Sequence, residues 1–211
     1  MWGIENYIGF LFAGILLNIT PGADTMYILA RSVAQGKKAG VVSVLGISTG
    51  LIVHIACAAG GLSILLKTST ALFTLVKWGG AGYLVFLGCQ MLRQTSTVLE
   101  HHPDTGGEPM LLRKIYRQGV VTNILNPKVA LFFLSFLPQF VRPEAAHSAM
   151  PFLILGGTFL ITGTAWCLFL AYAASLMTAR LRQHSTAGRI LHKLSGLVFI
   201  TLGLQLALKR N

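Results

Sequence analysis

Long apolar runs cut by short basic, polar or glycine-rich intervals organise this chain, near positions 5–34, 41–66, 71–92, 115–141, 149–178 and 190–208. Each run is long enough to cross a hydrocarbon layer of about 30 Å as a helix of roughly 20 residues, with some tilt. None shows the strict alternation of a half-buried strand. The pattern therefore predicts an all-α, polytopic membrane protein with six transmembrane helices. The one polar, turn-rich stretch long enough to act as a linker is Thr95 to Pro109, between the third and fourth runs.

Composition agrees with the pattern. Of 211 residues, 54% are hydrophobic and only 11% are charged, against about 25% charged in an average soluble domain. Soluble enzyme classes are excluded on that ground. The formal charge of +11 would suggest nucleic acid in a soluble chain, but here its meaning depends on where the charges fall. One set of loops holds eleven basic residues: Arg31, Lys37, Lys38, Arg93, Arg113, Lys114, Arg117, Arg180, Arg182, Arg189 and Lys193. The other set holds five: Lys67, Lys77, Arg142, Lys209 and Arg210. The richer side is expected in the cytoplasm, with both termini external. The excess charge is then a topology signal with affinity for anionic lipid head groups, and no nucleic-acid partner is expected. The first basic residue is Arg31, so the opening apolar stretch reads as a retained helix rather than a cleaved signal.

The two halves echo each other. Asn18-Ile19-Thr20-Pro21 in the first run matches Asn123-Ile124-Leu125-Asn126-Pro127 in the fourth, and Leu87-Gly88-Cys89-Gln90 matches Leu202-Gly203-Leu204-Gln205 at the ends of the third and sixth. Three spans per repeat would invert the second copy, which predicts repeats over 1–92 and 115–211 joined by a cytoplasmic linker at 93–114.

Chemistry concentrates at two interruptions. Thr20-Pro21-Gly22 breaks the first run and Asn126-Pro127-Lys128 the fourth. Proline removes a backbone donor and clashes with the preceding turn, while Thr or Asn before it makes an N-cap followed by Pro at the first helical position. Each run is thus read as two half-helices, the second starting at Thr20 or Asn126. At 1.5 Å per residue, Pro21 lies about 15 Å from Arg31 and Pro127 about 20 Å from Lys114, so both breaks fall near the membrane midplane. Two half-helix N-termini meeting there suit a carboxylate.

Asp24 follows the first break and Lys128 the second. A charge in a span costs roughly 2.5 to 3.5 kcal/mol on insertion scales, so neither faces lipid. Two readings stay open for them: a mutual pair that locks the halves, or direct contact with a substrate or proton. His54 is read as hydrogen-bonded inside the bundle, the glycines at 36, 40, 46 and 50 as packing positions, and the Phe132 to Phe140 run as a packing and lipid-facing surface. Cys57, Cys89 and Cys167 have no metal or redox spacing, and His101-His102 lacks a third ligand, so no cofactor and no metal are expected.

The constellation Asn18-x-Thr20-Pro21-Gly22-x-Asp24, the glycine series after it, and Asn126-Pro127-Lys128 leading to Pro138-Gln139-Phe140 resembles the LysE/RhtB family of bacterial amino-acid exporters over essentially the whole chain. The family commonly carries a second proline where this chain has Ala23. The resemblance implies export of amino acids or analogues through the inner membrane, driven by the proton gradient or membrane potential. The substrate-binding set is then Asn18, Thr20, Pro21, Gly22, Asp24, Asn126, Pro127 and Lys128, with small neutral amino acids preferred because Asp24 is the single acid in the set. The partners are the substrate, the bilayer and a coupling proton, and the pattern leaves room for a homodimer. Rival readings are export of another small solute or cation on the same scaffold, and an intramembrane enzyme. The enzyme has thin support, without HExxH, paired intramembrane aspartates or a redox CxxC.

Overall fold

A computed structural model describes residues 3–62 and 110–176, together with positions 78, 82, 85, 86, 89, 200 and 204. The expected third and sixth spans, the Thr95 to Pro109 linker, the second repeated motif, Gly79 and Gly80 fall wholly or largely outside them. The described residues are helical: α1 (Tyr7–Ile19), α2 (Ala23–Cys57), a π-helical turn (Ala58–Leu62), α3 (Leu112–Ile124), α4 (Pro127–Leu131), which continues as a π turn (Phe132–Phe136) and a 3₁₀ turn (Leu137–Phe140), and α5 (Met150–Leu176). Among these residues two helices are long and apolar enough to cross a membrane, Ala23–Gly61 and Met150–Leu176, and the pair Leu112–Ile124 and Pro127–Phe140, bent by 43°, makes a third candidate.

The first of these is not one rod. Gly36, inside α2, has φ 76° and ψ −170°, a combination essentially confined to glycine. A straight helix would hold Ser32 and Gly40 about 12 Å apart, yet a Cβ placed on Gly40 would run into the Ser32 hydroxyl. Ile28 and Val44 likewise share one buried cluster. The chain therefore reverses at Gly36, and the first two expected spans meet there. The loop expected between positions 34 and 41 shrinks to this one residue, and the expected packing role of Gly36 gives way to a turn.

Asn6 starts α1 from a left-handed conformation, its side chain accepting from Gly9 N at 3.2 Å, a backbone state Asn tolerates better than most residues. Phe10, Ala13 and Leu17 are buried, whereas Ile8, Phe12 and Leu16 form an exposed stripe four residues apart. An apolar stripe on the outward face is what lipid contact requires and what water would penalise. The inward face of α1 meets an aromatic core: Phe132 lies 4.6 Å from Phe159 and 6.0 Å from Phe10 between ring centroids, and Phe140 lies 5.4 Å from Phe10. The expected lipid-facing role for the Phe132 to Phe140 run is corrected here, because its phenylalanines are all buried and Leu134 is the exposed large side chain.

The tightest helix contact joins α2 to α3. A Cβ on Gly119 would sit 3.0 Å from Ser43 O and 3.2 Å from the Gly46 Cα, and one on Gly50 would sit 2.8 Å from the Asn123 Cβ. Small residues at these positions let two backbones touch, which gives the Gly46-xxx-Gly50 spacing its partner.

The ends of the molecule are also distinguished. Ile4 pairs with Val141 in an isolated antiparallel bridge, supported by Glu5 N to Phe140 O and Arg142 N to Gly3 O, both 2.8 Å. At the opposite end the Tyr27 hydroxyl donates to Ile115 O at 2.7 Å and Arg31 Nη2 to Gln118 Oε1 at 3.2 Å. The start of α1, the exit of the bent pair and the start of α5 thus share one side, with the Gly36 reversal and the start of α3 on the other.

Candidate functional site

The two interruptions come together. At the first, α1 stops at Thr20, whose extended ψ of 122° is the conformation favoured before proline, and whose hydroxyl donates back to Leu16 O at 2.7 Å. The second half-helix begins at Ala23 with Gly22 as its N-cap and no side chain capping it. The expectation that Thr20 would cap the following helix is therefore corrected: its hydroxyl is spent on the helix before the break. At the second interruption the expectation holds. Asn126 Oδ1 accepts from Lys128 N at 3.0 Å, with Pro127 at the first helical position of α4.

Lys128 crosses from the second break to the first. Its Nζ donates to Leu17 O and Thr20 O, both at 2.7 Å, covering carbonyls at the C-terminal end of α1 that lack a helical partner and carry partial negative charge. Gly22 makes room for this reach, since a Cβ there would lie 3.3 Å from the Lys128 Cδ. Among the described residues the ion pair within 4 Å joins Arg142 to Glu5, not Lys128 to Asp24. Of the two readings left open for these charges, the mutual pair finds no such contact.

Asp24 is instead held by Asn123, whose Nδ2 donates to Asp24 Oδ2 at 2.9 Å. Asn123 sits on the last turn of α3, and its backbone carbonyl accepts from His54 Nε2 at 3.0 Å. His54 also stacks on Phe133, at 6.1 Å between ring centroids, which places it as a bundle histidine that covers a helix end.

Between the breaks lies a cavity of about 40 Å³. Its lining combines polar side chains, Asn18, Asp24, Asn123, Asn126 and Lys128 among them, with an apolar surface from Leu17, Ile47, Leu51, Val129 and Phe159. Ser48 and Thr164, hydrogen-bonded at 2.9 Å, cross it from α2 to α5. Asn18 Nδ2 donates to Thr162 Oγ1 at 3.1 Å, and Gly163 leaves the space that the Asn18 amide fills. Three of the five buried polar side-chain atoms without a partner among the described residues belong to the cavity lining: Asp24 Oδ1, Asn123 Oδ1 and Asn126 Nδ2. A space this small holds a few waters at most.

Five of the eight sequence-derived residues, Asn18, Gly22, Asp24, Asn126 and Lys128, line this cavity. Thr20, Pro21 and Pro127 do not, and they shape the breaks instead. Sequence reasoning left out Asn123, Ser48, Thr164 and Gly163. Asn123 stood in the repeated motif beside Asn126 and was legible there as a polar side chain within an apolar run. Ser48 and Thr164 carry no local signal, because a hydroxyl in an apolar helix ordinarily bonds its own backbone.

The pattern describing the LysE type translocator family matches residues 15–210. The chain is 30% identical over 206 residues to a leucine efflux protein of Klebsiella pneumoniae subsp. pneumoniae, covering 98% of this chain and 96% of that protein. It is 29% identical to a leucine efflux protein of Salmonella choleraesuis over the same shares, and 27% identical to one of an Enterobacter species over 98% and 97%. No solved structure matches. A match across nearly the whole chain, falling on apolar helices broken where the polar cavity lies, shows that the chain belongs to the LysE type translocator family and is a membrane transporter, not an enzyme.

Proposed function

We propose that this protein exports small neutral amino acids with aliphatic side chains across the bacterial inner membrane by alternating access, coupled to the proton-motive force. The single observation that carries the reading is the cavity at the two breaks, lined both by polar side chains from the two breaks and by aliphatic and aromatic ones. A leucine-like molecule has the same division: a zwitterionic head and an aliphatic tail. The leucine efflux relatives support both the substrate class and the direction. A lysine-like substrate needs a second anion for its side chain, and Asp24 is the one acid lining the cavity among the described residues. A divalent cation commonly takes six or more oxygen ligands, so a single carboxylate among amides favours the zwitterion over that cargo.

The scaffold proposed for this cycle is six spans in two inverted repeats, 1–92 and 115–211, around a linker at 93–114. The paired breaks and the alternation of ends between α1, the Gly36 reversal, the bent pair and α5 support it. The distribution of basic residues supports an external position for both termini. The substrate carboxylate is assigned to the half-helix starts at Thr20 to Gly22 and Asn126 to Lys128, and the ammonium or a proton to Asp24.

The decisive experiment expresses the protein in a sensitive bacterial host and measures growth against toxic analogues of neutral and cationic amino acids, with a vector control. Protection against leucine-type and threonine-type analogues is expected. Protection confined to arginine or lysine analogues overturns the substrate class. Reporter fusions near Asp104 should read cytoplasmic and fusions after Asn211 external; a cytoplasmic C-terminus overturns the inverted repeat.

A further inference from the structure

We propose that Asn123 and Asn126 read the two ends of the substrate's head group, Asn123 joining Asp24 to accept from the ammonium and Asn126 donating to the carboxylate. This rests on the amino-acid reading above and assigns the polarity with which the substrate lies. Both side chains are almost completely enclosed, 1% and 3% exposed, and both line the cavity. A backbone hydrogen bond from Asn126 N to Asn123 O at 2.9 Å closes the turn between them, so the two amides enter the cavity from one short loop.

Each amide is oriented by a partner elsewhere, which decides what it has left to offer. Asn123 spends its Nδ2 on Asp24, leaving Oδ1, an acceptor. Asn126 spends its Oδ1 on capping α4, leaving Nδ2, a donor beside the Asp24 carboxylate that closes no hydrogen bond within 3.5 Å. Asp24 spends Oδ2 and keeps Oδ1. The unfilled set is therefore two acceptors, one of them on an acid, and one amide donor. An ammonium offers only donors and a carboxylate only acceptors. A simple amine satisfies the acceptors and leaves Asn126 unpaired; a simple carboxylic acid does the reverse; a zwitterion satisfies both. Helix capping does not account for the spare donor, because Asp or Ser caps as well as Asn through oxygen alone.

That equivalence supplies the test. Asn126→Asp keeps a capping oxygen and replaces the amide donor by an acceptor, while Asn123→Ser exchanges the amide for a shorter hydroxyl and so withdraws its acceptor from the head group. Purified wild type and variants in proteoliposomes are assayed for efflux of radiolabelled leucine against three competitors: leucine, 3-methylbutylamine, which lacks the carboxylate, and 4-methylpentanoate, which lacks the ammonium. Thermal melting in detergent with each compound gives a binding readout that is independent of transport. In the wild type, leucine should compete about tenfold or more better than either analogue. Asn126→Asp should lose leucine's advantage over the amine while keeping its advantage over the acid, and Asn123→Ser should show the opposite loss. Variants that melt cooperatively yet lose all three compounds to the same degree, or keep leucine's advantage on both sides, overturn the assignment and leave the exporter reading standing. A wild type that neither moves nor is stabilised by any neutral amino acid overturns both.

Discussion

At the first break, the carbonyls that end α1 are covered by a lysine from the other break; at the second, the carbonyl of Asn123 at the end of α3 is covered by a histidine from α2. A helix that stops inside a membrane exposes groups no lipid can satisfy, and both breaks meet this with a nitrogen carried by another element. Their N-terminal sides differ. Asn126 caps α4 from within the chain, whereas the half-helix after Gly22 has no side-chain cap. The second break is therefore closed at its N-terminal side by its own sequence, while the carbonyl side of the first depends on Lys128 reaching across. The first is the one that tertiary change can open.

The largest expected effect follows from that dependence. Lys128→Met strips two buried carbonyls of a charged donor and should cost about 2–4 kcal/mol, read as lower membrane abundance and an earlier thermal transition in detergent. Full stability in this variant would mean that the first break holds itself. Asp24→Asn should leave abundance near normal and reduce leucine efflux about tenfold or more, since it removes charge but keeps hydrogen-bonding capacity. Asp24→Asn with Lys128→Met then discriminates: among the described residues no ion pair within 4 Å joins Lys128 to Asp24, so neither abundance nor efflux should recover beyond the worse single variant. Recovery would restore the structural pair.

His54→Phe probes the carbonyl side of the second break while retaining an aromatic ring beside Phe133. Loss of one hydrogen bond to a buried carbonyl should cost about 1–2 kcal/mol, less than Lys128→Met; an equal or larger loss would reverse the ranking of the two breaks. Gly22→Ala should have the smallest effect, below about 1 kcal/mol. Its φ of −157° is open to any residue, and the atom a new Cβ meets at 3.3 Å is a flexible lysine methylene that can shift. A melting shift as large as that of Lys128→Met would show that the reach of Lys128 tolerates no displacement.

How much was legible beforehand differs between the same regions. Pro127 after Asn126 is a complete local signal, because proline and a capping amide both act within three residues. Thr20-Pro21 looks equivalent on paper but is used differently, with the threonine hydroxyl bonding to the turn before it. The local pattern permits either use, and packing chose. Gly36 was visible as a glycine, but its φ of 76° follows from where the helices on either side find their partners. The phenylalanine run was legible as apolar and not as core: hydrophobicity does not distinguish a lipid-facing ring from a buried one, since lipid and protein interior are similarly apolar.

Residue chemistry along the chain was enough to determine a helical membrane protein with two proline-marked breaks, because apolar length, capping and proline geometry operate over a few residues, while the LysE family was carried by the resemblance of its motifs. Only the tertiary structure decided where Lys128 sends its ammonium, that Asn123 rather than Lys128 holds Asp24, and that Ser48 and Thr164 meet across the cavity. These contacts join positions 99 to 116 residues apart. Nothing local encodes them, since a buried donor is satisfied by whichever acceptor the packed helices bring within 3 Å.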